Sequence, residues 1–195
     1  MSESKTEGIR VIHLVMFAIA FGLETVASWT ASLFSIGIPG VGALWWPNGL
    51  QVAFGSWFGM WGVLAVTAGN ILGCILAGTP VVFGASLSVW IIFQSLLPAA
   101  GFRHFGADPA LKTTRDWMIL IVLVLVSSAI SATFGIAVVT MFGYIPAWFD
   151  ASWWFAWFVW ALGDSLMGIL IGGILLRGLT PVVKRAGLYV EGWWS

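Results

Sequence analysis

The chain has 195 residues, 60% of them hydrophobic and 8% charged, with a mean hydropathy of +1.00 and a formal net charge of zero. A soluble domain carries roughly 25% charged residues, so a water-soluble fold is excluded and lipid is the expected solvent. Charge neutrality gives no bulk attraction to nucleic acid, and the length suits a single membrane domain, 1–195, with no room in these residues for a soluble catalytic domain.

The polar start Met1–Gly8 leads into an apolar run too long for the core of a cleaved signal, and residues 1–10 are expected to form a cytoplasmic N-terminus. A membrane span needs about 20 mostly apolar residues. On that rule an all-α bundle of about six transmembrane helices is predicted over 11–177: Val11–Ser35, Val41–Phe58, Met60–Ala77, Val82–Ala100, Trp117–Phe142 and Trp153–Leu176. Little more than Gly59 separates the second and third, which should form a tight helical hairpin. The fourth begins after Thr79-Pro80 and is expected to close at Pro98, because proline removes a helical hydrogen bond. Residues 178–195 read as a cytoplasmic tail.

Orientation follows from the cations. Lys5 and Arg10 precede the first helix, Arg103, Lys112 and Arg115 lie between the fourth and fifth, and Arg177, Lys184 and Arg185 follow the sixth. With six spans and both termini inside, all eight are cytoplasmic, in accord with the positive-inside rule. The expected location is the plasma (inner) membrane. Many of the fourteen tryptophans suit the headgroup boundary. Cys74, the single cysteine, excludes an internal disulfide and reads as buried packing.

Polar residues deep in lipid are expensive and mark sites. Glu24 lies near the middle of the first helix, Gln51 in the second, Asn70 in the third, Gln94 in the fourth, Ser127, Ser128 and Ser131 in the fifth, and Asp164 in the sixth. Facing lipid, each would cost several kcal/mol, so they should converge on the interior. Asn, Gln and Ser at such positions also serve as interhelical hydrogen-bond glue, each bond worth about 0.6 kcal/mol. Trp153, Trp157, Trp160 and Asp164 share one helix face, as do Glu24, Ser28, Ala31 and Ser35. An outward-opening pocket is therefore expected, with Trp46, Trp157 and Trp160 as walls and a carboxylate floor. No Lys or Arg is available in the membrane to neutralise Glu24 or Asp164. Either they carry protons, since leaving water disfavours the charged form, or they await a cation or a hydrogen-bond donor. Indoles above a carboxylate suit a cationic or aromatic ligand.

The run Leu44-Trp45-Trp46-Pro47-Asn48-Gly49-Leu50 resembles the Trp-Pro signature of the membrane-associated sensor domain of the first type, the MASE family. Trp61-Gly62 with Ala68-Gly69-Asn70, Phe102-Arg103 with Asp108 to Asp116, and Trp157 to Asp164 with Gly168-Ile169-Leu170 are similar to further family motifs in the same order. The resemblance spans roughly 12–177 and implies a sensory membrane module, adding Asn48 to the candidate ligand-binding residues. Family members typically have about eight spans and a fused cytoplasmic output domain, neither of which is read here. The six-helix layout and the glycine-rich helices are also similar, more weakly, to the substrate-binding S-components of energy-coupling-factor transporters.

Enzymatic motifs are missing: His13 and His104 are far apart in sequence, Cys74 has no partner base, and no metalloprotease, P-loop or nucleophile-elbow pattern occurs. The expected function is thus a membrane-embedded sensory or small-molecule-binding module that signals through a membrane or cytoplasmic partner protein. The candidate site is Glu24, Trp46, Asn48, Asn70, Gln94, Trp157, Trp160 and Asp164, with no metal ligands assigned and no cofactor named. The alternatives are an S-component-like transporter subunit and an accessory structural subunit of a larger membrane complex.

Overall fold

The computed structural model of the chain describes residues 11–194, which are all-helical and without strands. The helices are α1 (Val11–Ala31), α2 (Pro47–Phe58), α3 (Met60–Leu76), α4 (Val81–Phe105), α5 (Thr114–Met141) and α6 (Ala151–Arg185). A 3-10 turn, Ser32–Phe34, prolongs α1. Among the described residues four segments are long and apolar enough to cross a membrane: Val11–Phe34, α4, α5 and α6. The expected N-terminal stretch 1–10, with Lys5 and Arg10, lies outside the described residues.

The burial pattern of α6 explains why it can face lipid and protein at once. Leu162, Leu166, Leu170 and Ile174, four residues apart, are exposed. Trp160, Asp164, Gly168 and Gly172, at the same spacing on the other side, are buried. An apolar exterior around a polar, small-residue interior is what lipid selects, since every buried polar group must be satisfied inside the bundle.

Small residues set the closest approaches. A Cβ on Gly69 would stand 2.6 Å from the Phe21 carbonyl, and one on Gly73 2.5 Å from that of Thr25, so α1 and α3 pack nearly backbone to backbone. Gly49 meets Ile171 of α6, and Gly55 meets Ser95 of α4, at 2.5 Å in the same construction. These contacts enclose α2, all of whose residues except Leu50 are buried.

Three boundaries differ most from the sequence expectation. First, α2 begins at Pro47 rather than Val41, leaving 12 residues, about 18 Å of helix against about 30 Å of hydrocarbon. Its predecessor, 35–46, is a looped segment with Gly37 and Gly40 at positive φ and a backbone pairing of Ser35 with Gly42. Second, Pro98 lies inside α4, which continues to Phe105. Proline sacrifices one hydrogen bond there, but it is buried in the helix interface, and packing carries α4 past it. Third, α6 passes Leu176 and Pro181 to end at Arg185.

The residues after α6 fold back on the bundle. Val190 N–H donates to Trp57 O at 2.8 Å, and Met60 N–H to Trp193 O at 2.9 Å, so the segment straps the α2–α3 turn. Gly59, at φ +59°, makes that turn, and a side chain there would strike the Trp193 carbonyl. Arg103 holds the strap through Gly192 O and Val190 O at 2.7 and 2.8 Å, with its guanidinium over the Trp193 ring.

Candidate functional site

The mid-depth polar residues are indeed interior. Glu24, Gln51, Asn70, Gln94, Ser127, Ser128, Ser131 and Asp164 are each at most 1% exposed. Glu24, Gln51 and Asn70 belong to one hydrogen-bonded group and Gln94 and Asp164 to another, whereas Ser127 donates only to the Val124 carbonyl of its own helix and the Ser128 and Ser131 hydroxyls have no partner.

The first group joins α1, α2, α3 and α4. Gln51 Nε2 donates to Glu24 Oε1 at 2.6 Å. The Ser28 hydroxyl lies 3.2 Å from Glu24 Oε1 and 3.0 Å from Asn70 Oδ1, and its one proton serves one of them. Asn70 Nδ2 donates to Ser88 Oγ at 2.8 Å, and Ser88 passes its own proton to the Gly84 carbonyl. Glu24 Oε2 and Gln51 Oε1 have no partner.

The second group surrounds Asp164. Gln94 Nε2 donates to Asp164 Oδ2, and Asn48 Nδ2 to the Asp164 backbone carbonyl at 2.7 Å. Asn48 and Gln51, three residues apart, project from the same side of α2, so this one helix tethers both carboxylate-bearing helices. Asp164 Oδ1, Gln94 Oε1 and Asn48 Oδ1 remain without donors. Buried polar atoms rarely lack partners, and such clusters need an explanation.

A cavity of about 340 Å³ lies above Asp164. Its mouth is framed by exposed residues of three connections, Ser35 and Pro39 after α1, Gly78 and Pro80 before α4, and Tyr144 before α6. Its deep end is Asp164, Asn70, Trp160, Leu87 and Ile91, all buried. The looped segment 35–46 forms one wall and supplies Trp45, whose buried indole N–H has no acceptor. A Cβ on Gly163 would be 2.2 Å from Ala43 O, so glycine lets this loop press against α6. Asp164 lies thirteen residues after the start of α6, about 20 Å along its axis. The loop therefore descends into the bundle before α2 begins, as irregular backbone can when protein or a cavity shields it.

The structure brings Asn70, Trp160 and Asp164 onto the cavity, with Gln94 and Asn48 directly behind Asp164. Glu24 is one hydrogen bond removed, through Ser28 to Asn70. Trp46 and Trp157 are not on the lining, contrary to expectation. Trp157 turns to α5 instead and donates to Thr133 Oγ1 at 3.0 Å. Trp46 immediately precedes α2, and its neighbour Trp45 takes the cavity wall. Sequence reasoning also missed Cys74, Phe83 and Tyr144, which line the cavity. Cys74 lies four residues after Asn70 on α3, and that spacing was the available signal. Among the described residues no cluster of three or more His, Cys, Asp or Glu could hold a metal ion.

No protein-family model matches the chain, and comparison with curated proteins and with solved structures returns no match.

Proposed function

We propose that the chain is a membrane-embedded small-molecule-binding module whose ligand occupies the cavity above Asp164 and whose occupancy is read by a partner protein. The observation that carries this reading is Asp164 itself, a buried carboxylate on a cavity floor with Oδ1 unpartnered. Glu24 also has an unpartnered oxygen, but of the two acids only Asp164 lines the cavity. Through Asn48, the Asp164 backbone is tied to α2, whose far end carries the C-terminal strap. A ligand that favours one arrangement of α2 over another would shift that equilibrium by its differential affinity. The resemblance to the MASE family favours a sensory output.

In the same reading the chain crosses the plasma membrane six times with both termini inside. The six basic residues among the described ones all lie at the α2–α3, α4–α5 and C-terminal end, opposite the cavity mouth, which therefore faces outward. The short α2 and a cavity with its mouth at one end also suit the substrate-carrying subunit of a transporter, the second reading.

Purification in mild detergent, followed by mass spectrometry of bound proteins and small molecules, tests this. The expected result is a small molecule retained by the wild type and lost from Asp164→Asn, with a signalling partner. A co-purifying ATPase pair would favour transport. A fixed stoichiometric place in a large complex, with no small molecule, would leave only a structural role.

A further inference from the structure

The geometry points to a small organic cation, an ammonium compound with an attached apolar or aromatic group, as the ligand of this cavity. The inference rests on the reading of the cavity as a ligand site and adds the ligand's chemical class.

Charge comes first. Among the described residues no Lys, Arg or His lines the cavity, and the basic ones sit at the opposite end of the bundle. Asp164 is thus without a cationic partner among the described residues. Its Oδ2 is taken by Gln94, which fixes the carboxylate and leaves Oδ1 as the atom lacking a donor.

Hydrogen-bond balance points the same way. Around Asp164 the unpartnered atoms are acceptors: Oδ1 itself, Gln94 Oε1 and Asn48 Oδ1. Among the described residues, Trp45 Nε1 is a buried donor without an acceptor on the cavity wall, and the Trp160 indole lies beside the Asp164 carboxylate. An ammonium has donors and no acceptor, so it complements this excess. A carboxylate or phosphate would add acceptors to acceptors beside a buried acid.

The walls supply the rest. Trp45, Phe83, Tyr144 and Trp160 bring aromatic surface to the space above Asp164, and a ring face attracts a cation electrostatically. Leu87 and Ile91 offer only apolar contact. At about 340 Å³ the cavity stands near the small end of the range for ligand pockets, which limits the ligand to a compact molecule.

Cys74 provides the test, because the only thiol of the chain lines this cavity. The full-length protein in lipid nanodiscs is treated with methanethiosulfonates carrying an ammonium, a sulfonate or no charge. Each rate is divided by that reagent's rate with a free thiol. The expected result is a preference of roughly tenfold or more for the ammonium over the sulfonate reagent, abolished in Asp164→Asn. In the wild type, 2-phenylethylammonium should slow labelling by the uncharged reagent, whereas 2-phenylethanol and 3-phenylpropionate should not. The wild-type comparison stands alone if the variant fails to fold. Equal protection by the alcohol, or a preference for the sulfonate, would overturn the cationic class and leave the cavity as a binding site. Absence of labelling by all three reagents would overturn the accessible cavity, and with it the proposed function.

Discussion

Gly135 of α5 exists to make room for Trp160 of α6: a Cβ there would stand 2.6 Å from Cη2 of the indole. The benzene edge of Trp160 is seated on α5, while the residue also lines the cavity one helical turn before Asp164. Gly135→Ala should push the ring toward the cavity, cost about 1–3 kcal/mol through overpacking and slow modification of Cys74. Thermal unfolding with thiol-labelling rates checks both, and unchanged labelling would detach Trp160 from the cavity's shape.

Gln51 is expected to be structural first. It gives Glu24 its shortest hydrogen bond, at 2.6 Å, and lies outside the cavity lining. Gln51→Leu should lower stability by about 1–2 kcal/mol, as a buried acceptor loses a donor, with little change in labelling of Cys74. A large labelling change without a stability loss would contradict the separation of the two polar groups.

The orientation proposal has a direct check. Reporter insertions at Ala107, in the α4–α5 connection, and at Ala147, in the α5–α6 connection, should read cytoplasmic and external respectively. An external signal at Ala107 would remove the six-pass scheme, because Arg103, Lys112 and Arg115 travel with it.

Acid should loosen the α4–α5 connection. Burial alone would raise the Asp108 carboxyl, but hydrogen bonds from Lys112, the Ala110 N–H and Lys184 hold it down to about 2 against an ordinary 3.8. A carboxylate depressed on folding contributes stability above its unfolded value, and that contribution disappears as pH falls through the folded one. The melting temperature of wild type should thus drop more than that of Asp108→Asn between about pH 4 and 2. Parallel curves for the two proteins would show that the pairs with Lys112 and Lys184, at 2.8 and 3.2 Å, are too exposed to matter.

The helical class and most of the buried polar layer were legible because apolar length and mid-helix polarity are local properties of the sequence. Glu24 and Asp164 stood out as acids without neighbouring cations, and both are interior. The limits of α2 were not legible. Val41–Trp46 is apolar enough to read as helix, yet it loops because Gly163 lets its backbone lie on α6 and Asn48 fastens to the Asp164 carbonyl. Both are contacts more than a hundred residues apart in sequence. Pro98 misled for a related reason: a local helix breaker is tolerated when tertiary packing supports the helix on either side. Trp157 shares the spacing of Trp160 and Asp164, but its indole donates to Thr133 on α5, a partner distant in sequence.

The enclosure of α2 has a consequence for how the protein is made. A helix of 12 residues cannot cross a bilayer unaided, and its partners on α6 are synthesised more than a hundred residues later. While the ribosome is still producing α4 and α5, α2 has neither Asp164 nor Gly172 to lean on. It must wait at the membrane or in the insertion machinery, sheltered by α1 and α3, until α6 arrives. Chains truncated before Ala151 should therefore leave this segment unprotected and be cleared by quality-control proteases, although every long apolar helix but one has already been laid down.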